Sequence, residues 1–322
     1  MVKFYWFLGH EQFQPEELVI HAKKVEEAGF DGVMISEHLQ PWVDDSGAAG
    51  FAFSTLGAIA ATTTKIELLT GVTTPLFRYH PAIIAQASAT IDRLSKGRFS
   101  LGIGTGENIN EGPLGVKFPN YAERSERIIE AIEIIKPLLK GETITFNGKY
   151  YQVSKLKLYS PPISNVPIFM AAGGPKSAIT AAKYCDGVII SVKIIEESNI
   201  NIISPIKSIK NNIKIISSSW SIDAKNNEDS WKALSAWRGL RAPSRSSSIS
   251  PLELQAEADK LDKKVILSKY NLIKKTEDYI KIYSPLVTKL KSNIVVFQIT
   301  SLNQLETIKK VGREVLPILR KL

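Results

Sequence analysis

The sequence has little of the chemistry that would staple or metallate a fold. One cysteine, Cys185, excludes an internal disulfide and any multi-cysteine zinc site, which points to a reducing compartment. The four histidines, His10, His21, His38 and His80, are scattered, so no His-rich metal centre is expected and no metal is assigned. No run approaches the roughly 18 apolar residues of a membrane span. Lys3 followed by Phe4 to Leu8 is shorter than the apolar core of a signal peptide and reads directly into structure. A cytoplasmic protein with no membrane partner is therefore expected. The charge balance, 41 Lys and Arg against 32 Asp and Glu for a net +9, would suit nucleic acid or a small anion. The lysines are spread over the whole C-terminal half, as on solvated helix faces, so no nucleic-acid partner is expected.

What the chain does have is 322 residues with 44% hydrophobic content, enough for a substantial core. Its order is a repeated strand, loop and helix. Val2 to Leu8 leads to a helix opened by Pro15 and stopped at Gly29; Asp31 to Ser36 leads to a helix over 54–61. Ile66 to Thr73, ended by Pro75, leads to a helix over 81–94, and Arg98 to Gly104 to one over 121–139. Residues 141–158 interrupt this with alternating residues around Asn147-Gly148, a type I′ hairpin signal. The pattern resumes with Val166 to Ala172, a turn at Gly173-Gly174-Pro175, a helix to Tyr184, and strands over 186–191, 213–219 and 293–300, the last followed by a helix over 302–319.

Eight strands that are nearly continuous Val, Ile, Leu and Phe runs, separated by helices, imply a parallel sheet buried on both faces. Eight such units in about 300 residues favour an α/β fold of the (β/α)8 TIM-barrel kind over an open doubly wound sheet. The chain reads as a single barrel domain over 1–322. The long gap at 220–262, carrying Trp231, Trp237, Pro243 and Ser-Arg-Ser-Ser-Ser at 244–248, reads as an inserted cap over the site. In a barrel, ligands sit where the strands end and the βα loops converge. That topology gathers His38 and Trp42, Gly71 to Thr74, Glu107, Ala171 to Gly174, and Ser191 to Lys193.

The stretch from Arg98 to Asn110 runs a strand into a loop with Gly102, Gly104 and Gly106, then Thr105, Glu107 and Asn110. Missing Cβ atoms there would let a ligand approach the backbone, or would let an ordinary turn pack; the stretch alone does not decide.

Five segments then carry a resemblance: Ser36-Glu-His-Leu-Gln-Pro-Trp42, Thr74 to Gln86, Gly102 to Asn110, Gly148-Lys-Tyr-Tyr-Gln152 and Ala171 to Pro175. In this order and spacing they resemble the luciferase-like monooxygenase superfamily, and within it the coenzyme F420 branch typified by the F420-dependent glucose-6-phosphate dehydrogenases. The resemblance implies hydride transfer from C1 of a sugar phosphate, glucose 6-phosphate, to C5 of the deazaflavin. It implies His38 as base, Glu107 as the acid serving N1, with a pKa raised by burial, and Trp42 beside the reacting carbon. For the coenzyme it implies Glu37, where these enzymes carry Asp, Gly71 and Val72 with a cis peptide, Thr74, Thr105, Gly106 and Asn110. Ala171, Ala172, Gly173 and Gly174 would face its phosphate at a helix N-terminus, with Ser191 and Val192 nearby. An anionic substrate would be held by Lys193, Arg245 and Lys269. A homodimer is implied by resemblance alone. An F420-dependent secondary-alcohol dehydrogenase, a flavin mononucleotide monooxygenase and an inert deazaflavin carrier stay open as alternatives.

Overall fold

The computed structural model describes residues 1–322. Eight parallel strands close on themselves: Lys3–Leu8, Gly32–Ile35, Glu67–Thr70, Phe99–Ile103, Ile168–Ala171, Gly187–Ser191, Lys214–Asp223 and Ile294–Ser301. Each pairs with the next, the seventh with the eighth, and the eighth with the first, where Tyr5 faces Val296. This is the (β/α)8 barrel that the strand count implied. Asn271–Ile273 adds one short outer strand to the end of the seventh.

Alternation along each strand explains why the strands read as unbroken apolar runs. On the first, Tyr5 and Phe7 join the interior cluster, whereas Phe4, Trp6 and Leu8 belong to the larger cluster between sheet and helices. Trp6 is fully buried against Phe30 and Phe297. Burying a side chain of this kind stabilises the fold by roughly 1.5–3 kcal/mol. Helices begin where a proline can occupy the first turn, at Pro15, Pro81 and Pro175. At the opposite end from the loops discussed below, the Arg98 guanidinium donates to the carbonyls of Ala60, Thr63 and Ile66, tying the third and fourth strands to the helix over 52–62.

Three features differ from expectation. The hairpin forms, with strands Ile144–Asn147 and Gln152–Leu156, but Asn147 pairs with Gln152, so four residues turn rather than two. The Glu130 carboxylate accepts from the N–H groups of Lys149, Tyr150 and Tyr151. A tertiary contact with the helix Tyr121–Leu139 thus overrides the local Asn-Gly preference. The seventh strand runs on to Asp223, so the cap begins later than 220. Helix Thr276–Thr288 has no counterpart among the expected elements, although its buried Tyr279, Tyr283, Leu286 and Val287 recur at helical spacing. No helix is long and apolar enough to cross a membrane.

The cap is helical, with Asn227–Leu234, a 3-10 turn Ser235–Arg241, and Pro251–Ala258. Its Leu234, Trp237 and Leu254 share one apolar cluster with the barrel-interior residues Phe7, Phe169 and Ile189. The cap is therefore packed as part of the barrel mouth.

Candidate active site

His38 stands at the C-terminal mouth, three residues past the second strand, with its side chain 10% exposed. Its Nε2 lies 3.4 Å from Glu11 Oε1 and 3.4 Å from Glu107 Oε2. Its Nδ1 is 3.1 Å from the Gln40 carbonyl oxygen and 3.2 Å from Asn110 Nδ2. The Trp42 ring packs on the imidazole with centroids 4.9 Å apart. Burial alone would lower the His38 pKa, but Glu11 and Glu107 together raise it. The result is a histidine able to accept a proton with two carboxylates ready to balance the charge.

Glu107 departs from expectation. Burial does push its carboxyl up, yet His38 and Arg245 outweigh that and hold it at about 2. Arg245 Nη2 is 2.6 Å from Glu107 Oε1, and its guanidinium lies 5.3 Å from the centre of the Trp42 ring. Glu107 is therefore a carboxylate here rather than a neutral acid. His38 is the larger of the two influences, and Arg245, from the cap 138 residues further on, adds to it.

Beneath the rim lies a buried ion cluster. Arg78 Nη2 is 3.4 Å from Glu37 Oε1, and its Nε donates to Glu111 Oε1 at 3.1 Å. The Arg78 backbone N–H donates to Glu111 Oε2, and the Thr73 hydroxyl donates to Glu37. Burial dominates at both carboxyls and raises them despite Arg78. Glu37, expected against the coenzyme, is turned inward into this cluster with its side chain 1% exposed. Asn110, also expected there, points into the rim, where its Oδ1 accepts the Leu39 N–H at 2.8 Å. Glu37 directly precedes His38 and Asn110 touches its imidazole, so the cluster and Asn110 fix the loop that carries the ring.

The remaining coenzyme candidates form a continuous edge. The Gly71-Val72 peptide is cis. A Cβ on Gly71 would meet Met34 Cγ at 2.4 Å, and one on Gly104 would meet Val72 Cγ2 at 2.6 Å. One on Gly102 would sit 2.0 Å from the Thr70 carbonyl oxygen, so that glycine serves strand packing rather than a ligand. Gly106 has φ +75°, beside buried Thr74 and half-buried Thr105, and Arg124 donates to the carbonyls of Thr105 and Gly106. Gly173 and Gly174 have open space where a Cβ would be, directly before helix Pro175–Tyr184. First-turn N–H groups have no intrahelical acceptor. A bare, open turn at such a helix start fits the phosphate of a bulky coenzyme, so these residues suit the group that the resemblance implied. Ala171 is half-buried, Ala172 and Val192 are buried, and Ser191 is exposed at the same rim.

Of the three cations expected to hold substrate, only Arg245 meets the catalytic cluster. Lys193 and Lys269 are exposed, the first just beyond the sixth strand and the second just before the short outer strand. The cap is fastened to the Trp42 loop. Arg238 bonds Asp45 and Asp259, each at 2.7 Å, and Gln255 Oε1 accepts from the N–H groups of Asp44 and Asp45. Glu11, Arg78 and Glu111 were missed in the sequence. Glu11 follows the first strand by three residues, and the rule that nominated His38 nominates it equally. Arg78 and Glu111 carry no local signal, since only the fold brings them together.

Comparison with known proteins agrees with the barrel fold. A model of the luciferase-like monooxygenase family matches residues 2–204. The F420-dependent hydroxymycolic acid dehydrogenase of Mycobacterium tuberculosis is 47% identical over 193 residues, 60% of this chain and 54% of that protein. The F420-dependent glucose-6-phosphate dehydrogenase of Segniliparus rotundus is 33% identical over 339 residues, 100% of this chain and 99% of that protein. The chain thus spans about half the length of the mycobacterial relative in that match. A solved F420-dependent secondary alcohol dehydrogenase, in complex with an F420-acetone adduct, superposes with a TM-score of 0.90 at 26% identity over 99% of this chain and 100% of that one.

Proposed function

The chain belongs to the luciferase-like monooxygenase family, and from that premise we propose that it is a coenzyme F420-dependent dehydrogenase of sugar phosphates, with glucose 6-phosphate as substrate and 6-phosphogluconolactone as product. The observation that carries this reading is His38 Nε2 between Glu11 and Glu107 with Trp42 on its ring, at a mouth that also carries cationic Arg245. Coenzyme F420, when bound, supplies the hydride acceptor. Gly71 to Thr74, Thr105, Gly106 and Ala171 to Gly174 would hold it.

The residues of the chain handle the proton. As the C1–H bond is lost, the hydroxyl proton passes to His38 Nε2, and Glu11 stabilises the imidazolium that forms. His38 Nδ1 lies 3.1 Å from the Gln40 carbonyl oxygen, and the tautomer with its proton on Nδ1 would leave the Nε2 lone pair for the substrate. Trp42 and the cap close the mouth and limit water around this exchange. Glu107, held low by His38 and Arg245, is the second proton-handling group.

The test is to mix the purified protein with oxidised coenzyme F420 and a panel of sugar phosphates and secondary alcohols, following loss of the coenzyme absorbance. Oxidation of glucose 6-phosphate ahead of the alcohols is expected. The likeness to the solved alcohol dehydrogenase favours a second reading, an F420-dependent secondary-alcohol dehydrogenase. Turnover of alcohols alone would establish that reading, and tight coenzyme binding without turnover of any substrate would mark an inert carrier. A cytoplasmic homodimer belongs to the same proposal, and light scattering tests its stoichiometry.

A further inference from the structure

The segment Gly148-Lys-Tyr-Tyr-Gln152 has no part in the proposed chemistry, and its hairpin is a two-stranded sheet separate from the barrel. Its Tyr151 is nevertheless buried, and the hydroxyl reaches the carbonyl oxygens of Pro75 and Leu76, each at 2.9 Å. One side chain thus holds two successive peptides of the loop that follows the third strand. The next residue of that loop, Phe77, lies under the Arg127 guanidinium at 4.5 Å from its ring centre, and the same guanidinium lies 4.2 Å from the centre of the Tyr150 ring. Arg124 is three residues earlier on the same helix, hence on the same face. Its Nη1 donates to the carbonyls of Thr105 and Gly106, each at 3.1 Å, and its guanidinium lies 4.5 Å from the centre of the Phe118 ring. The two loops held in this way also touch each other. The Gly104 N–H donates to the Thr73 carbonyl at 2.9 Å, and a Cβ on Gly106 would meet Thr74 Cγ2 at 2.9 Å and Leu76 Cδ1 at 3.1 Å. Hairpin and helix are one unit, because Glu130 accepts from the hairpin turn.

We propose that this unit is a brace for the coenzyme edge, with Tyr151 and Arg124 as positioning residues that act on Thr74, Thr105 and Gly106 through the backbone. The link to the coenzyme rests on the proposed function; the hold on the two loops rests on the contacts alone. A peptide is planar and turns as a unit, so a held carbonyl also sets the residue after it. Glu107 directly follows Gly106, and Arg78 follows Leu76 by two residues. The brace therefore sets one proton-handling carboxylate and one end of the buried ion cluster together with the coenzyme edge.

Tyr151→Phe is the sharper test, because it keeps the ring that packs edge-on against His80 and removes only the hydroxyl. Amide hydrogen exchange on the full chain without coenzyme should become about fivefold faster over residues 76–80, the scale of one hydrogen bond, and stay unchanged over 171–174. Melting should stay within about 2 °C of the parent. Arg124→Met should speed exchange over 104–110 instead. Each variant should weaken coenzyme binding, followed by fluorescence, about fivefold and raise the coenzyme KM, with the KM for the sugar phosphate unchanged. Gln152→Ala, which loses only a bond to the Gly148 carbonyl in the exposed turn, should match the parent throughout. Unchanged exchange in these two segments would overturn the brace. So would exchange that rises uniformly along the chain, or coenzyme affinity unmoved by either variant, since both mark residues that stabilise the fold and position nothing. A parent protein that binds no coenzyme removes the proposed function instead, and exchange alone then decides the brace.

Discussion

Replacing Arg78 by methionine removes the only cation from a cluster that holds two buried carboxyls, with side chains 1% exposed at Glu37 and 0% at Glu111. Deleting one partner of a buried pair costs about 3–5 kcal/mol, because the other charge stays desolvated. Here the lower end applies, since Glu37 keeps the Thr73 hydroxyl and Glu111 keeps the N–H of residue 78. With an unfolding entropy of roughly 2.1 cal/mol/K per residue, about 3 kcal/mol lowers the melting temperature by about 4 °C. The pH dependence separates charge from packing. Both carboxyls are already raised in the folded state by burial, from an unfolded value of 4.5, and losing the guanidinium raises them further. Between that unfolded value and the raised folded one, the native state binds more protons than the unfolded state. Stability therefore falls as pH rises through this window, and it falls further in Arg78→Met. Calorimetric melting at pH 5 and pH 8 should show a larger gap between parent and variant at pH 8. A gap of equal size at both would refute the argument and place the cost in lost packing. Because the cluster fixes the His38 loop, kcat should fall as well, with a smaller change in coenzyme affinity.

Other outcomes follow from the same geometry. Glu107→Gln should bind coenzyme within about threefold of the parent by fluorescence, yet lose roughly 10²–10⁴ in kcat, the usual contribution of a proton-transfer group; full activity would remove Glu107 from the proton path. Glu11→Gln deletes one of the carboxylates that raise the His38 pKa, so the limb of kcat/KM that rises with pH should move to lower pH, and an unmoved limb would exclude His38 as the base. Gly239→Ala would put a Cβ 1.9 Å from the Trp42 carbonyl oxygen, pushing cap and loop apart. A loss of about 1–3 kcal/mol is expected, with a lower melting temperature and faster proteolysis in the cap.

The sequence by itself determined the barrel and the end of it that matters. Strands buried on both faces are apolar along most of their length, the serine-rich seventh excepted, so their number and spacing could be counted from composition along the chain, and strand ends located His38, Trp42 and Glu107 on one rim. Local chemistry also placed the helix starts at Pro15, Pro81 and Pro175. What only the tertiary structure decided were the partnerships across long separations. The Asn147-Gly148 turn yields to Glu130 because three backbone N–H groups bound by one carboxylate outweigh a two-residue preference. Gly102, legible as a small residue, proves to make room for the Thr70 carbonyl. The Glu107 carboxyl is held low, although burial argues the reverse, because the fold sets His38 and then the cap's Arg245 beside it. The charge state of a buried group depends on which other charges the fold sets within a few ångströms, and neighbours in the chain do not report them.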